Sequence, residues 1–145
     1  MMANGSPHSD LPVLEVGATI AQEFTVTPDD MDSFARLSGD NNPIHLDADF
    51  ARARGQAGPV VYGGLLVAII SRMLGTRLPG PGCLWHSLNV KFKSVLSVGE
   101  TAILSGRIDH WNSDLDVGRI RFTIMAGRRT IVDGEVQAQI LKATP

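Results

Sequence analysis

The segment GLLVAIISRMLGTRL, residues 64–78, is the strongest indication of the architecture because it contains the longest apolar run of the chain. Drawn as a helix, it carries Leu, Ile, Ala and Met side chains around nearly its whole circumference. A helix that is apolar on all sides is typical of a protein interior, whereas a surface helix has one apolar stripe. We therefore predict a central helix from Gly64 to Arg77 that the rest of the chain covers.

Segments with the alternating pattern of β-strands lie on both sides of this helix. TIAQEFTV, residues 19–26, precedes it, and four follow it: LWHSLNVKFKSV, ETAILSGRIDH, VGRIRFTIMAG and RTIVDGEVQAQIL. In the first of these four, one face is expected to hold Leu84, Leu88, Val90 and Phe92. The links SVGE and AGRR are typical of tight hairpin turns, and HWNSDLDVG is typical of a longer one. This order predicts an α+β fold in which one curved antiparallel sheet wraps around the central helix.

The length and composition of the chain fit one globular domain. Of its 145 residues, 43% are hydrophobic and 19% are charged, so the chain can bury a core without a disulfide or a metal. The formal charge of -2 is spread along the sequence with no basic run, which argues against a nucleic-acid partner. The single cysteine, Cys83, excludes an internal disulfide and is typical of a reducing compartment.

The N-terminal segment MMANGSPHSD is expected to be a lead-in and not an export signal. It lacks the basic start and the apolar run of a secretory signal, and we predict a disordered lead-in over residues 1–12. The globular domain is then expected to span residues 13–145. Because LLVAII is too short to span a bilayer, we expect a cytoplasmic protein without a membrane partner.

Another helix is predicted just before the most polar segment of the chain. Thr27 is a good N-cap, Pro28 suits the first helical position, and Gly39 is typical of a helix end. SGDNNPIH, residues 38–45, is then predicted to form a turn, because Pro43 keeps the residue before it out of the helical region.

Two side chains in this turn suit acid–base chemistry. Asp40 and His45 lie five residues apart and are able to converge on one water molecule, which a carboxylate and an imidazole can activate together. The alternative is a purely structural turn, since Asp and Asn side chains commonly bond to nearby backbone. The 4 histidines show no spacing typical of metal ligands, so we expect no metal site.

The start of the central helix is a second candidate site. In VVYGGLL, residues 60–66, two glycines precede a helix whose first N–H groups lack partners and carry partial positive charge. Glycine lets a substrate oxygen approach this backbone, which would stabilise the negative charge of an enolate. On spacing alone, a simple bend between loop and helix explains the glycines equally well.

The segment FARLSGDNNPIHLDADFA, from Phe34 to Ala51, resembles the hydratase motif of the MaoC-like dehydratases, which include the (R)-specific 2-enoyl-CoA hydratases. The shared pattern is an aromatic residue, a small residue followed by Gly-Asp, Asn-Pro, an aliphatic residue and His. The similarity extends from about Val16 to Leu141. It implies a single hot-dog domain that reversibly hydrates trans-2-enoyl-CoA to (R)-3-hydroxyacyl-CoA, which is a hydro-lyase reaction.

The resemblance also implies roles for individual residues. Asp40 and His45 match the acid–base pair that holds the water, and Gly63 matches the glycine whose N–H binds the thioester oxygen. Asn42 matches an asparagine that supports the motif, and Ser71 matches a serine that lines the site. The family usually forms homodimers with the acyl tunnel near the subunit interface. The expected substrate is a thioester of coenzyme A or of an acyl carrier protein, and no cofactor is expected, because coenzyme A is part of the substrate.

Two positions depart from the family's usual pattern. Tyr62 stands where many relatives have histidine, and we expect it to be a wall residue at the mouth of the pocket. Gly64 replaces a larger residue, which is expected to leave room beside the thioester. Both changes bear on the shape of the substrate more than on the reaction.

Two alternative functions are open for a chain of this fold. Many hot-dog thioesterases place an acidic residue on the central helix, but the segment from Gly64 to Arg77 has no Asp or Glu. The other alternative is a non-catalytic protein that binds acyl thioesters. The intact pair of Asp40 and His45 argues against that alternative.

Overall fold

The structure is a computed structural model that describes residues 11–145. These residues form a five-stranded antiparallel sheet and four helices. The strands are β1 (Thr19–Thr25), β2 (Cys83–Phe92), β3 (Thr101–Asn112), β4 (Val117–Ala126) and β5 (Arg129–Ile140). The helices are α1 (Pro28–Ser38), α2 (Pro43–Leu46), α3 (Ala48–Arg52) and α4 (Gly63–Thr76).

Most of the predicted N-terminal lead-in, residues 1–10, lies outside the described part of the chain. Leu11 and Pro12 are half-buried, and the Leu11 side chain lies against the turn at Gly80. The boundary at residue 13 stays a prediction. Within residues 11–145, no helix has both the length and the apolarity needed to cross a membrane.

The strands follow the order β1-β3-β4-β5-β2, and every neighbouring pair is antiparallel. Asn112 pairs with Val117 and Ala126 pairs with Arg129, which confirms the two predicted hairpins that join β3, β4 and β5. SVGE does form a turn, in which the Glu100 N–H donates to the Ser97 carbonyl at 3.1 Å. It does not close a hairpin, because β1 and β4 occupy both sides of β3 and leave β2 to pair with β5.

A β-bulge in β2 changes the face on which its side chains lie. The pairing with β5 shifts in register between Trp85 and Ser87. As a result, Trp85 packs against the core, while Leu84 is 49% exposed. The prediction that Leu84 shares a face with Leu88 and Val90 was therefore wrong, because an inserted residue reverses the alternation of a strand.

The central helix α4 packs one side against the sheet. The buried side comprises Leu66, Ile70, Met73 and Leu74, which join the core with residues of β3, β4 and β5 such as Leu104, Ile120 and Val136. The other side is exposed at Gly64, Ala68, Ser71 and Arg72. The prediction that the chain covers this helix on all sides was wrong for a single copy, because one sheet reaches only one side of a helix.

The preceding helix α1 begins and ends as its sequence predicts. The Thr27 side chain accepts from the Asp30 N–H at 3.2 Å, and the Asp30 carboxylate accepts from the Thr27 N–H at 2.8 Å. Gly39 ends the helix with φ of 74°, in the left-handed region that favours glycine. These caps fix the point at which the chain leaves α1 and enters the polar turn.

Candidate active site

The turn after α1 is held by its own side chains. The Asp40 N–H donates to Ser38 Oγ at 3.2 Å, and Asp40 Oδ1 accepts from the Asn42 N–H at 3.0 Å. The second carboxylate oxygen, Oδ2, has no hydrogen-bond partner among residues 11–145. Asp40 is exposed, so one oxygen maintains the turn while the other is free to contact a water or a substrate.

His45 lies on a short helix rather than on a simple turn. Asn42 is the N-cap of α2, because its side chain accepts from the Ile44 N–H at 3.3 Å. Pro43 occupies the first helical position, where its missing N–H has no cost. Pro43 was predicted only to prevent continuation of the preceding helix, but here it also begins the next one.

The imidazole of His45 is oriented by a backbone carbonyl. His45 Nδ1 lies 2.6 Å from the carbonyl oxygen of Val60, and a carbonyl can only accept, so Nδ1 carries the proton. In the neutral imidazole, Nε2 then has the free lone pair of a base. The Val60 N–H donates in turn to the Ile44 carbonyl at 3.1 Å, which ties the two segments together.

Tyr62 contacts both members of the candidate pair. Its hydroxyl donates to the backbone carbonyl of Asp40 at 2.7 Å, and its ring lies 4.0 Å from the His45 ring at an angle of 31°. The side chain is only 1% exposed, so it lies in the interior and not at an open pocket mouth as expected. Burial raises the pKa of Tyr62, and the negative charges of Asp40 and Asp32 raise it further, so the hydroxyl remains a donor.

The start of α4 offers unpaired N–H groups beside these residues. The N-cap, Tyr62, makes no side-chain capping bond, and the first hydrogen bond within the helix runs from the Leu66 N–H to the Tyr62 carbonyl at 3.1 Å. The N–H groups of Gly63 and Gly64 precede that bond and have no intrahelical partner. Together with the helix dipole, they make a site for an oxygen that gains negative charge.

Two aromatic rings cover the two glycines. A Cβ on Gly63 would lie 3.1 Å from Phe92, and a Cβ on Gly64 would lie 2.9 Å from Phe34. The room expected beside Gly64 is therefore partly filled by the Phe34 ring. Neither ring was predicted to belong to the site, although Phe34 is the aromatic residue of the motif.

The seven predicted site residues do not all meet. Asp40, Asn42, His45, Tyr62 and Gly63 are joined by the contacts described above. Ser71 lies on α4, seven residues after Gly64, so both occupy the same exposed side of the helix. The Val60 carbonyl was missed, since a backbone acceptor leaves no signal in the sequence.

No group of three His, Cys, Asp or Glu side chains within the described residues could hold a metal ion. A cavity of about 870 Å³ lies elsewhere, on the sheet between β2, β3, β4 and β5. Its lining includes Asn89, His110 and Glu135 and shares no residue with the site at Asp40 and His45.

Known proteins of similar sequence and structure share this architecture. Residues 14–117 match the family described as MaoC like domain. The chain is 34% identical over 130 residues to the 3-hydroxybutyryl-CoA dehydratase of Methylorubrum extorquens, covering 89% of this chain and 82% of the relative. It is 31% identical to the (R)-specific enoyl-CoA hydratase of Aeromonas caviae, covering 88% and 96%.

The solved structure of the (R)-hydratase from A. caviae superposes with a TM-score of 0.83. That structure is 29% identical, and the match covers 88% of this chain and 98% of the other. The shared arrangement of sheet and helices confirms the predicted α+β hot-dog fold.

Proposed function

We propose a specific reaction for this chain, which belongs to the MaoC-like dehydratase family and is a hydro-lyase. The proposed reaction is the reversible hydration of trans-2-enoyl-CoA to (R)-3-hydroxyacyl-CoA. The relatives of the chain support this reaction, since they are named as a 3-hydroxybutyryl-CoA dehydratase and (R)-specific enoyl-CoA hydratases. The observation that carries the proposal is that Tyr62 joins Asp40 and His45 beside the unpaired N–H groups of α4.

In the proposed reaction, the thioester carbonyl accepts a hydrogen bond from the Gly63 N–H. Addition of water at the β-carbon moves negative charge onto this oxygen, which then has the character of an enolate. The start of α4 stabilises that charge, and one such donor typically contributes about 2.7–4 kcal/mol to the transition state. Gly63 has no side chain to displace the Phe92 ring or block the approach.

Asp40 and His45 hold the attacking water. The Asp40 carboxylate and His45 Nε2 are both acceptors, so each can take one hydrogen bond from the same water molecule. As the water oxygen bonds to the β-carbon, one of its protons passes to the pair. The pair then delivers a proton to the α-carbon of the enolate, so that H and OH add across the double bond and the pair returns to its starting state.

We propose that Asp40 accepts the proton from water and that this proton passes from the Asp40 carboxyl to Nε2 of His45. His45 then protonates the α-carbon, which leaves Asp40 ionised and His45 neutral as before. The Nδ1 proton of His45 is engaged by Val60, so Nε2 is the nitrogen that carries the transferred proton.

The proposed carrier of the acyl group is coenzyme A, with an acyl carrier protein as the alternative, and no cofactor beyond the thioester is used. A cytoplasmic location is likewise proposed, and cell fractionation with an antibody tests it. We also propose a homodimer, because β2 is an edge strand and one side of α4 is exposed in a single copy.

The experiment that tests the function uses crotonyl-CoA and records two signals. We expect loss of the conjugated enoyl-thioester absorbance without release of free thiol, and an (R) product by chiral analysis. Thiol release would identify a thioesterase instead. Tight binding of enoyl thioesters with no turnover would identify a non-catalytic binding protein.

Matched variants connect this activity to the proposed residues. Asp40→Asn and His45→Ala are expected to abolish turnover or nearly so. Asp49→Asn and His110→Ala change the same residue types at exposed positions whose side chains make no hydrogen bond to Asp40, His45 or Tyr62, and they are expected to keep wild-type rates. If the matched control variants lost as much activity as Asp40→Asn and His45→Ala, the proposed catalytic roles of Asp40 and His45 would be wrong.

A further inference from the structure

Tyr62 connects all the parts of the candidate site, although no step of the proposed reaction uses it. Its hydroxyl reaches the Asp40 carbonyl at 2.7 Å, and its ring lies 4.0 Å from that of His45. Its own carbonyl accepts the first hydrogen bond within α4, from Leu66. One buried side chain and its backbone therefore contact the acid, the base and the start of the helix.

Asp40 itself makes no other hydrogen bond to a residue outside its own turn within the described part of the chain. Among the described residues, the remaining bonds of Asp40 go to Ser38 and Asn42, which lie within two residues of it. Such local bonds fix the shape of a turn but not its position relative to a distant segment. The Val60 N–H joins the segment before α4 to Ile44, and the Tyr62 hydroxyl joins it directly to Asp40.

The ring of Tyr62 restrains His45 in a different way. A single hydrogen bond from Nδ1 to Val60 leaves the imidazole able to rotate about the axis of that bond. Packing against the face of the Tyr62 ring removes that freedom and sets the direction in which Nε2 points. Phe34 lies on Tyr62 with ring centroids 4.9 Å apart, so the tyrosine ring is itself held in place.

We propose that Tyr62 is a positioning residue that fixes the placement of Asp40 relative to His45, its hydroxyl through the Asp40 carbonyl and its ring through the His45 imidazole. This inference rests on the proposed hydration reaction. It replaces the expectation that Tyr62 forms a wall of the pocket and shapes the substrate. A wall residue would affect binding of the thioester, whereas a positioning residue affects the rate of the bound complex.

Two variants separate the roles of the hydroxyl and the ring. Tyr62→Phe removes only the bond to Asp40 and is expected to lower kcat by roughly two- to tenfold, as for one uncharged hydrogen bond. Tyr62→Leu also removes the ring and is expected to lower kcat on the order of a hundredfold, as for reacting groups misplaced by about an ångström. In both variants, KM for crotonyl-CoA is expected to stay within about twofold of the wild type. The reason is that the contacts that bind the substrate equally in the ground state and the transition state are retained.

The control is Phe122→Leu, which truncates a buried ring on β4 outside the site. It is expected to lower the Tm while keeping kcat, which separates positioning from general loss of stability. A rise in KM with unchanged kcat in the Tyr62 variants would overturn the inference in favour of a wall residue. Unchanged kcat in both variants, or an equal loss of kcat in Phe122→Leu, would also overturn it.

A second measurement needs no substrate and distinguishes failure of this inference from failure of the proposed function. The imidazole signals of His45, assigned with His45→Ala, are expected to show the NMR relaxation of a rigid ring in the wild type and of a more mobile ring in Tyr62→Leu. Identical relaxation of the His45 ring in the two proteins would overturn the positioning role. A wild type that hydrates no enoyl thioester would instead refute the proposed function, and the His45 signals would still decide the role of Tyr62.

Discussion

At the level of single residues, local hydrogen bonds shape the segment that carries Asp40 and His45, the two side chains proposed as acid and base. Asn42 is central to this arrangement, since its N–H bonds the Asp40 carboxylate and its side chain caps the helix that carries His45. Its backbone carbonyl also accepts from the His45 N–H at 3.1 Å. Asn42 takes no part in the proposed reaction, but its hydrogen bonds help to place both Asp40 and His45.

Asn42→Ala is expected to lower both stability and turnover. Loss of an N-cap side chain typically costs about 1 kcal/mol, and the α2 helix has only 4 residues over which to absorb that loss. His45 is then expected to shift, so kcat falls more than KM changes. The measurement is urea denaturation together with crotonyl-CoA kinetics.

The neighbouring Asn41 gives a matched control for this prediction. It is exposed, and its side chain makes no hydrogen bond to a residue in the range 11–145. Asn41→Ala is expected to behave as the wild type in both measurements. A similar loss in the two variants would mean that the polarity of the turn matters and that the cap does not.

At the scale of elements, the contact between α1 and α4 determines how the motif helix meets the central helix. The Phe34 ring of α1 lies over Gly64 of α4, so closely that a Cβ would come within 2.9 Å of Cζ. The same ring packs on Tyr62. The packing of these helices is therefore continuous with the contacts that hold the site.

Gly64→Ala is expected to reduce the free energy of unfolding by about 1–3 kcal/mol, the usual cost of overpacking, despite the better helix propensity of alanine. In a Phe34→Leu background the added methyl has room, so the cost is expected to be smaller. A double-mutant cycle followed by urea denaturation measures this coupling.

Gly75→Ala is the control for this cycle, since it lies on the same helix with no other atom within 4 Å of a Cβ. It is expected to stabilise the protein by roughly 0.5–1 kcal/mol, through the ordinary difference between glycine and alanine in a helix. If Gly64→Ala stabilised the protein by the same amount, the Phe34 ring would leave room for a methyl group at position 64. The close contact between α1 and α4 would then not require glycine.

The cap of α1 makes stability depend on pH in the acid range. Hydrogen bonds from the Thr27 N–H and hydroxyl hold the pKa of Asp30 below its ordinary value of 3.8. A lowered pKa in the folded state stabilises the protein above the ordinary pKa, and this contribution is lost as the pH falls through the lowered value. Because Asp30 is exposed, the effect is expected to be small.

Asp30→Asn is therefore expected to be less stable than the wild type at pH 7, and the difference is expected to shrink at pH values below about 4. Thermal unfolding measured across this pH range tests the prediction. Asp29→Asn, in the same helical turn but without a capping bond among the described residues, is expected to show a smaller difference at every pH. If the difference in stability between Asp30→Asn and the wild type stayed constant with pH, the charge of Asp30 would have no role in the cap.

For the molecule as a whole, structural features set by residues close in the sequence were predicted correctly. Features set by contacts between residues far apart in the sequence were missed. The caps at Thr27 and Gly39 and the two hairpins after β3 and β4 are local, and they were predicted correctly. The pairing of β2 with β5, the bulge after Trp85 and the Val60 carbonyl beside His45 depend on contacts across the fold. No local pattern of residue types encodes such contacts.

The exposed side of α4 is the clearest case of this kind. Its apolar sequence predicted a helix covered all round, but a single copy of the chain leaves one side open. The edge strand β2 also exposes large apolar side chains, with Leu84 at 49% and Phe92 at 55%. The open side of a mostly apolar helix and an edge strand with exposed apolar residues are both explained if a second copy of the chain covers them.

We therefore expect light scattering after size exclusion to give a mass twice the 15.6 kDa of one chain. Leu84→Lys places a charge on the edge strand and is expected to shift the protein toward the monomer as it is diluted, because a charged edge disfavours pairing between strands. Leu115→Lys makes the same change at a residue that is 64% exposed in the turn between β3 and β4, outside the edge strand, and is expected to keep the wild-type mass. A wild type that stays monomeric at high concentration would mean that the open side of α4 faces solvent, and the apolar character of that helix would then need a different cause.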